Sequence, residues 1–135
     1  MQRNRLLMLV IVLAFAEGVP SLAHHSLANY DQTTLVLIKG TITKIEWINP
    51  HAWITLNVRN TDGSSSTSRI EIASPVALMK KGMGRDLLNV GDNVTFEAWL
   101  PRNTGTGSTP NGRTLMLEDG RRFDVGDLFG NIPTR

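Results

Sequence analysis

Residues 35–58, LVLIKGTITKIEWINPHAWITLNV, constrain the fold more than any other stretch of this chain. Apolar and polar residues alternate on both sides of an Asn-Pro-His turn at 49–51, which is the pattern of two half-buried β-strands. The alternation changes phase within the first strand, and this change predicts a β-bulge, with Gly40 as the least hindered position for a bend. A long, bent first strand is typical of a small sheet that closes on itself.

The same alternation continues beyond this hairpin. It predicts strands at 69–73, 94–100 and 113–117 and a short last strand near 122–123. Between the third and fourth strands, Ser74 and Pro75 form a helix start, with serine as the N-cap and proline at the first helical position. This order predicts a mainly β fold, a small five-stranded OB-like Greek-key barrel with one short helix between strands 3 and 4. Another small open barrel or sandwich is the alternative.

The first 23 residues have the pattern of a secretory signal peptide. Arg3 and Arg5 precede an apolar run at 6–16, and small residues lead to a cleavage site after Ala23. The run is shorter than the ~20 residues that span a bilayer, so we expect no transmembrane anchor after processing; a retained anchor is the alternative. The prediction is a periplasmic or secreted protein with a single OB-like domain at 24–125 and a loosely ordered tail at 126–135.

Composition excludes several classes of function. The chain has no cysteine, which removes thiolate metal ligands and thiol nucleophiles. Its formal net charge of +2 is not the basic footprint expected of a nucleic-acid-binding domain. The sequence contains neither a serine nucleophile elbow nor a paired-carboxylate motif, so a binding module is favoured over an enzyme. Arg113, Arg121 and Arg122 are expected to lie on a solvated sheet edge, and contact with anionic glycan or lipid headgroups is the alternative.

Several motifs occur together along the chain. They are Ala-His-His-Ser at 23–26, Trp-x-Asn-Pro-His-x-Trp at 47–53 and Ser-Pro-x-Ala-Leu at 74–78, with glycine turns at 91–92, 110–113 and 119–121. With these motifs the chain resembles a family of small exported bacterial proteins known only as a domain of unknown function. The resemblance covers nearly all of the mature chain and implies the fold and the export. The family has no assigned activity, so the resemblance implies no mechanism.

The three histidines of the chain occur in two of these motifs and suggest a copper site. Cleavage after Ala23 makes His24 the N-terminal residue, whose amine and ring nitrogen together can chelate one metal ion. His51, or else His25, would supply a further nitrogen, and such ligands favour Cu(II) among divalent metals. Cleavage one residue earlier would instead place histidine third from a free amine, a spacing that binds Cu(II) or Ni(II) without any fold. The alternatives are solvated histidines at the mature start, with His51 a turn residue, or His51 as a base oriented by Glu46.

Two tryptophans flank the Asn-Pro-His turn and suggest a second kind of site. Trp47 and Trp53 with Asn49 would form a stacking platform for a small ligand, a glycan or another envelope component, as aromatic residues do on OB folds. Packing of both indoles in the core or at the rim of the sheet is the alternative. A purely structural role in the envelope is a third hypothesis. Trp99 is expected in the core.

Overall fold

The computed structural model describes residues 29–103, 105 and 107–127. The predicted signal peptide, His24, His25 and most of the predicted tail lie outside these residues. Within the described part, the chain forms six β-strands and one α-helix. Their bounds are β1 Tyr30–Glu46, β2 Ala52–Arg59, β3 Ser65–Ile72, α1 Pro75–Lys80, β4 Asn93–Pro101, β5 Asn111–Leu117 and β6 Arg122–Asp124. The prediction of a mainly β fold with one short helix between the third and fourth strands is confirmed.

The strands are arranged in a closed circuit. Their order in the sheet is β3-β2-β1-β4-β5-β6, and an additional pairing of β3 with β5 joins the first strand in this order to the fifth. That additional pairing is parallel and aligns Glu71 with Asn111, whereas the other pairings are antiparallel. The five-stranded circuit agrees with the OB-like prediction. The short β6 extends the sheet beyond β5, where the sequence indicated a short last strand.

The irregularity predicted in β1 is present, but not at the predicted residue. The pairing of β1 with β2 shifts by one residue between Ile42 and Lys44, so the extra residue is Thr43 rather than Gly40. Gly40 instead allows β2 to approach closely, because a Cβ there would lie 2.5 Å from the backbone oxygen of Asn57. The Thr43 side chain is exposed, and its hydroxyl donates to the Thr55 carbonyl oxygen at 3.2 Å.

The core lies inside this circuit of strands and under the helix. Its largest fully buried side chains come from β1 to β5, from α1 and from the segments that flank the helix and follow β6. Helix α1 begins where the sequence predicts, because the Ser74 hydroxyl accepts a hydrogen bond from the Ala77 amide at 3.3 Å. The helix buries Leu78 completely. In the described part of the chain, no helix has the length and apolar character needed to cross a membrane.

Candidate functional site

A pocket of about 500 Å³ lies where the β1–β2 loop faces the β4–β5 loop. Tyr30 at the start of β1 and residues 48–51 form one side, and residues 107–109 form the other. Trp53 of β2 and Glu71 of β3 complete the wall. These two loops and the face of the second and third strands are the elements with which OB folds bind ligands. The pocket is therefore at the expected binding position for this arrangement of strands.

Glu71 is the central carboxylate of the pocket wall. It is only 7% exposed, and it contacts the Nδ1 atom of His51 through Oε1 while its Oε2 accepts a hydrogen bond from the Tyr30 hydroxyl at 2.9 Å. Burial and the neighbouring negative charge raise the pKa of Tyr30 well above its ordinary value, so the phenol stays protonated and continues to donate. Two partners on one buried carboxylate fix the position of the His51 ring.

The other ring nitrogen of His51 faces a second carboxylate, from the end of the described chain. The Nε2 atom lies 3.4 Å from Oδ2 of Asp127. The pKa of Asp127 is raised, mainly because the carboxyl group is desolvated by burial and further because Glu71 is nearby, whereas the positive charge of His51 opposes the shift. His51 therefore lies between a carboxylate from β3 and a carboxylate that follows β6.

Residues 124–127, here called the C-terminal strap, carry Asp127 into this position. The Val125 amide donates to the Arg113 carbonyl oxygen at 3.0 Å, and the Val125 carbonyl oxygen accepts from the Ala73 amide at 2.8 Å. The Lys81 ammonium group donates to the Gly126 carbonyl oxygen at 2.6 Å and pairs with Asp124 at 3.0 Å. The strap is thus attached to β5, to the end of β3 and to the residue that follows α1.

Arg113 packs against the strap. It is buried, so the prediction that this arginine is solvated was wrong. It is only 4% exposed, and its guanidinium lies 4.4 Å from the centroid of the Trp99 ring. Its other neighbour is Gly126, where any Cβ would collide with the guanidinium group. Arg113 was misassigned because alternation along β5 does not reveal that the strap and Trp99 cover this residue. Trp99, at 6% exposure, is in the core as predicted.

The raised pKa of Asp127 leads to a prediction about the metal-free protein. A carboxyl group whose pKa is higher in the folded state stabilises the fold below its unfolded pKa of ~3.9, and this contribution is lost as the pH rises through the folded value. The Asp127→Asn variant has no such group. We therefore expect its stability relative to the unchanged protein to increase between about pH 3 and pH 5. Urea unfolding at both pH values measures this, and a pH-independent difference would contradict it.

The structure brings some of the predicted site residues together and separates others. His51, Asn49 and Trp53 all line the pocket, whereas Trp47 packs against the core. Trp53 is covered on one side by the guanidinium of Arg69, at 3.9 Å from its ring centroid. His24 and His25 lie outside the described residues. Glu46, suggested as a partner of His51, instead pairs with Lys44 at 3.0 Å and with Arg69 at 3.2 Å.

Sequence reasoning missed Tyr30, Glu71 and Asp127. A signal was present for Glu71, which is an acidic residue between two isoleucines in a strand and pairs with Trp53. No local signal marks Asp127, which follows the last strand and was assigned to the tail. Among the described residues, no group of three or more His, Cys, Asp or Glu side chains is placed to hold a metal ion. A metal bound at His51 would therefore need a ligand from elsewhere in the chain.

The sequence matches one known protein family over most of its length. The sequence model of a family described as "Family of unknown function (DUF6152)" matches residues 12–110. This chain belongs to that family. Among curated proteins and among solved structures, no match was found. The predicted membership of an uncharacterised family is confirmed. The DUF6152 match includes His51 and Glu71, whereas Arg113 and Asp127 lie beyond it.

Proposed function

We propose that this protein is an exported, non-enzymatic binding module and that its ligand is copper, held by His51 and the mature N-terminal residue His24. The observation that carries this proposal is the contact between Glu71 and the Nδ1 atom of His51. Histidines that bind metals usually donate one ring N–H to a carboxylate, which fixes the tautomer and directs the other nitrogen toward the metal. His51 has this arrangement, with Tyr30 in turn holding Glu71.

The N-terminal segment is long enough to reach this pocket. Asn29 lines the pocket together with His51, and His24 lies five positions before Asn29 in the sequence. Five residues extend to about 17 Å, which exceeds the width of a pocket of this size. After cleavage at Ala23, the amine and ring nitrogen of His24 would join His51 on one ion. His25 is the alternative source of the additional imidazole.

The charge of the pocket favours a cation. Apart from His51, Glu71 is the charged side chain among the described lining residues, and the remaining ones are neutral. A buried carboxylate in the pocket wall disfavours anionic ligands such as phosphate and sulfate. Nitrogen ligands from imidazole and amine groups place Cu(II) ahead of the other common divalent ions in affinity. Export to the periplasm or medium is part of the proposal, since only cleavage exposes the amine of His24.

A competitive copper titration of natively processed, secreted protein tests the proposal, after its mass has established the N-terminus. We expect a dissociation constant at or below ~1 nM, which corresponds to ~12 kcal/mol. The His51→Ala variant should bind at least about a hundredfold more weakly, since it removes one of the ligands. Asn103→Ala, which changes the pocket wall without removing a metal ligand, is the matched control and should bind as tightly as the unchanged protein.

Two outcomes would contradict the folded site. Tight binding that does not depend on His51 would assign copper to the N-terminal peptide alone. Binding in the micromolar range or weaker would exclude copper as the ligand.

The second candidate function is binding of a glycan or other envelope component at Trp53. Its indole forms part of the pocket wall, neither Trp47 nor Trp53 is fully buried, and Asn49 adds a polar side chain beside it. Aromatic faces flanked by amides suit neutral sugars, which stack on the ring and accept or donate hydrogen bonds at its edge. If copper binds weakly, Trp53 becomes the residue to test with neutral oligosaccharides.

A further inference from the structure

We infer that the pocket binds one ring of a neutral saccharide on the indole of Trp53, and that Arg69 is the residue that positions this indole. The inference rests on the second candidate function and deepens it, because it names the ligand class and assigns a role to a residue that does not line the pocket. It depends neither on copper nor on the charge of His51.

Trp53 lies on the outward face of the first three strands. Its neighbours on β2, Ala52 and Ile54, are buried, so the alternation of the strand directs the indole away from the core. The strand register places Glu46 and Glu71 on either side of it. Three polar residues, one from each strand, form the next outward row: Lys44, Thr55 and Arg69. Core packing therefore does not account for a large, half-buried aromatic residue at this position.

The guanidinium of Arg69 lies over one face of this indole, 3.9 Å from the ring centroid. Arg69 is itself held by Glu46, whose Oε2 atom accepts a hydrogen bond from the Arg69 Nε atom at 3.2 Å. The Oε1 atom of Glu46 pairs with Lys44 at 3.0 Å. An arginine held in this way restricts the rotation of the indole, which then loses less side-chain entropy when a ligand binds. A ligand in the pocket would use the face of the ring opposite the guanidinium.

The polar residues of the pocket suit an uncharged ligand with many hydroxyl groups. They include three carboxamides and two hydroxyls, from Asn29, Asn49, Asn103, Ser108 and Thr109. Such groups both donate and accept hydrogen bonds, as sugar hydroxyls do. The buried carboxylate of Glu71 disfavours acidic sugars, and both of its oxygens already contact other side chains, so it does not require a cationic one. The aromatic face and these polar groups together favour a neutral saccharide.

Calorimetric titration of the metal-free, secreted protein with neutral oligosaccharides tests the inference. The probes are the tetramers of glucose and of N-acetylglucosamine, with a chelator present, and we expect at least one to bind with a dissociation constant below ~1 mM. Trp53→Ala should weaken this binding at least about tenfold. Arg69→Ala should weaken it about three- to tenfold. The midpoint of urea unfolding should not change in Arg69→Ala, because exposed ion pairs contribute little to stability.

A spectroscopic signature distinguishes positioning of the indole from a structural role of Arg69. The near-UV circular dichroism band that is lost in Trp53→Phe belongs to Trp53, and it should decrease in Arg69→Ala because a freely rotating indole gives a weaker band. Arg69→Lys should recover part of the band and of the affinity, since it keeps the charge but not the planar group. Arg59→Ala is the matched control. It removes an exposed arginine from the same face of β2, six positions from Trp53, and should change neither quantity.

Four results would overturn the inference. If Trp53→Ala weakens binding but Arg69→Ala does not, the saccharide binds at Trp53 without help from Arg69, and only the second candidate function stands. If Arg69→Ala lowers the urea midpoint together with the affinity, Arg69 supports the fold rather than the indole. If Trp53→Ala binds as tightly as the unchanged protein, or if neither tetramer binds the unchanged protein, the second candidate function fails together with this inference.

Discussion

Replacing Glu71 with alanine is expected to lower the free energy of unfolding of the metal-free protein by about 3–5 kcal/mol. Glu71 is buried, and its two carboxylate oxygens serve His51 and Tyr30. Removing a buried carboxylate that two side chains contact is costly because the remaining partners lose their interactions but cannot recover full solvation. Urea unfolding near neutral pH, followed by tryptophan fluorescence, measures the change.

Two further variants separate the contribution of the Glu71 carboxylate from that of the hydrogen bond with Tyr30. Glu71→Gln preserves the shape and an acceptor for the Tyr30 hydroxyl, so its cost should be about 1–3 kcal/mol, less than that of alanine. Tyr30→Phe removes a single hydrogen bond and should cost about 1–2 kcal/mol. A loss below 1 kcal/mol for Glu71→Ala would show that Glu71 is not a main support of His51.

The second large effect is expected from Trp99→Ala, at about 3–5 kcal/mol. Trp99 is nearly fully buried on β4, and its ring covers the guanidinium of Arg113. Alanine would leave a cavity in place of the ring and remove the aromatic face from a buried cation that has no hydrogen-bond partner for its Nε and Nη1 atoms among the described residues. Thermal unfolding should show a decrease of at least about 10 °C for a domain of this size.

Two control substitutions separate the loss of the aromatic contact with Arg113 from the general effect of removing a large side chain. Leu37→Ala removes a large side chain from β1 where it is 69% exposed, and it should change stability by less than about 0.5 kcal/mol. Trp99→Phe keeps an aromatic face over Arg113 and should retain most of the stability. Equal losses for Trp99→Phe and Trp99→Ala would contradict a contribution from the aromatic contact.

Local patterns identified the strands and the helix start, although β1 begins at Tyr30 rather than near residue 35 and β3 at Ser65 rather than 69. Alternation identified β1 to β5, and the Ser-Pro pair identified the start of α1 at Pro75. The Asn-Pro-His turn places His51 and Asn49 in the pocket wall because the loop between β1 and β2 lines the pocket. Trp53 follows on β2 for the same reason. These results depend on side chains near one another in sequence, where periodicity is informative.

The rest of the candidate site depends on contacts between distant segments. His51 meets Glu71 and Asp127, which lie 20 and 76 positions later in the chain. Such contacts follow from the register of β2 with β3 and from the path of the strap, and neither is encoded in the local alternation of residues. Arg113 shows the same limit, because strand periodicity gives the face of a side chain but not what covers that face. Trp47 and Trp53 were separated for a related reason, since Trp47 follows the end of β1 and packs against the core, whereas Trp53 lies on β2 and lines the pocket.

The parallel pairing of β3 with β5 links the stability of the sheet to the pocket. Glu71 is the β3 residue in that pairing, and its amide donates to the Pro110 carbonyl oxygen at 2.9 Å. The same residue therefore belongs both to the junction that closes the circuit of strands and to the pocket. A ligand bound to His51 would restrain Glu71 through the contact with Nδ1 and would thereby stabilise this junction. Binding in the pocket would therefore slow the local opening of the sheet where β3 pairs with β5.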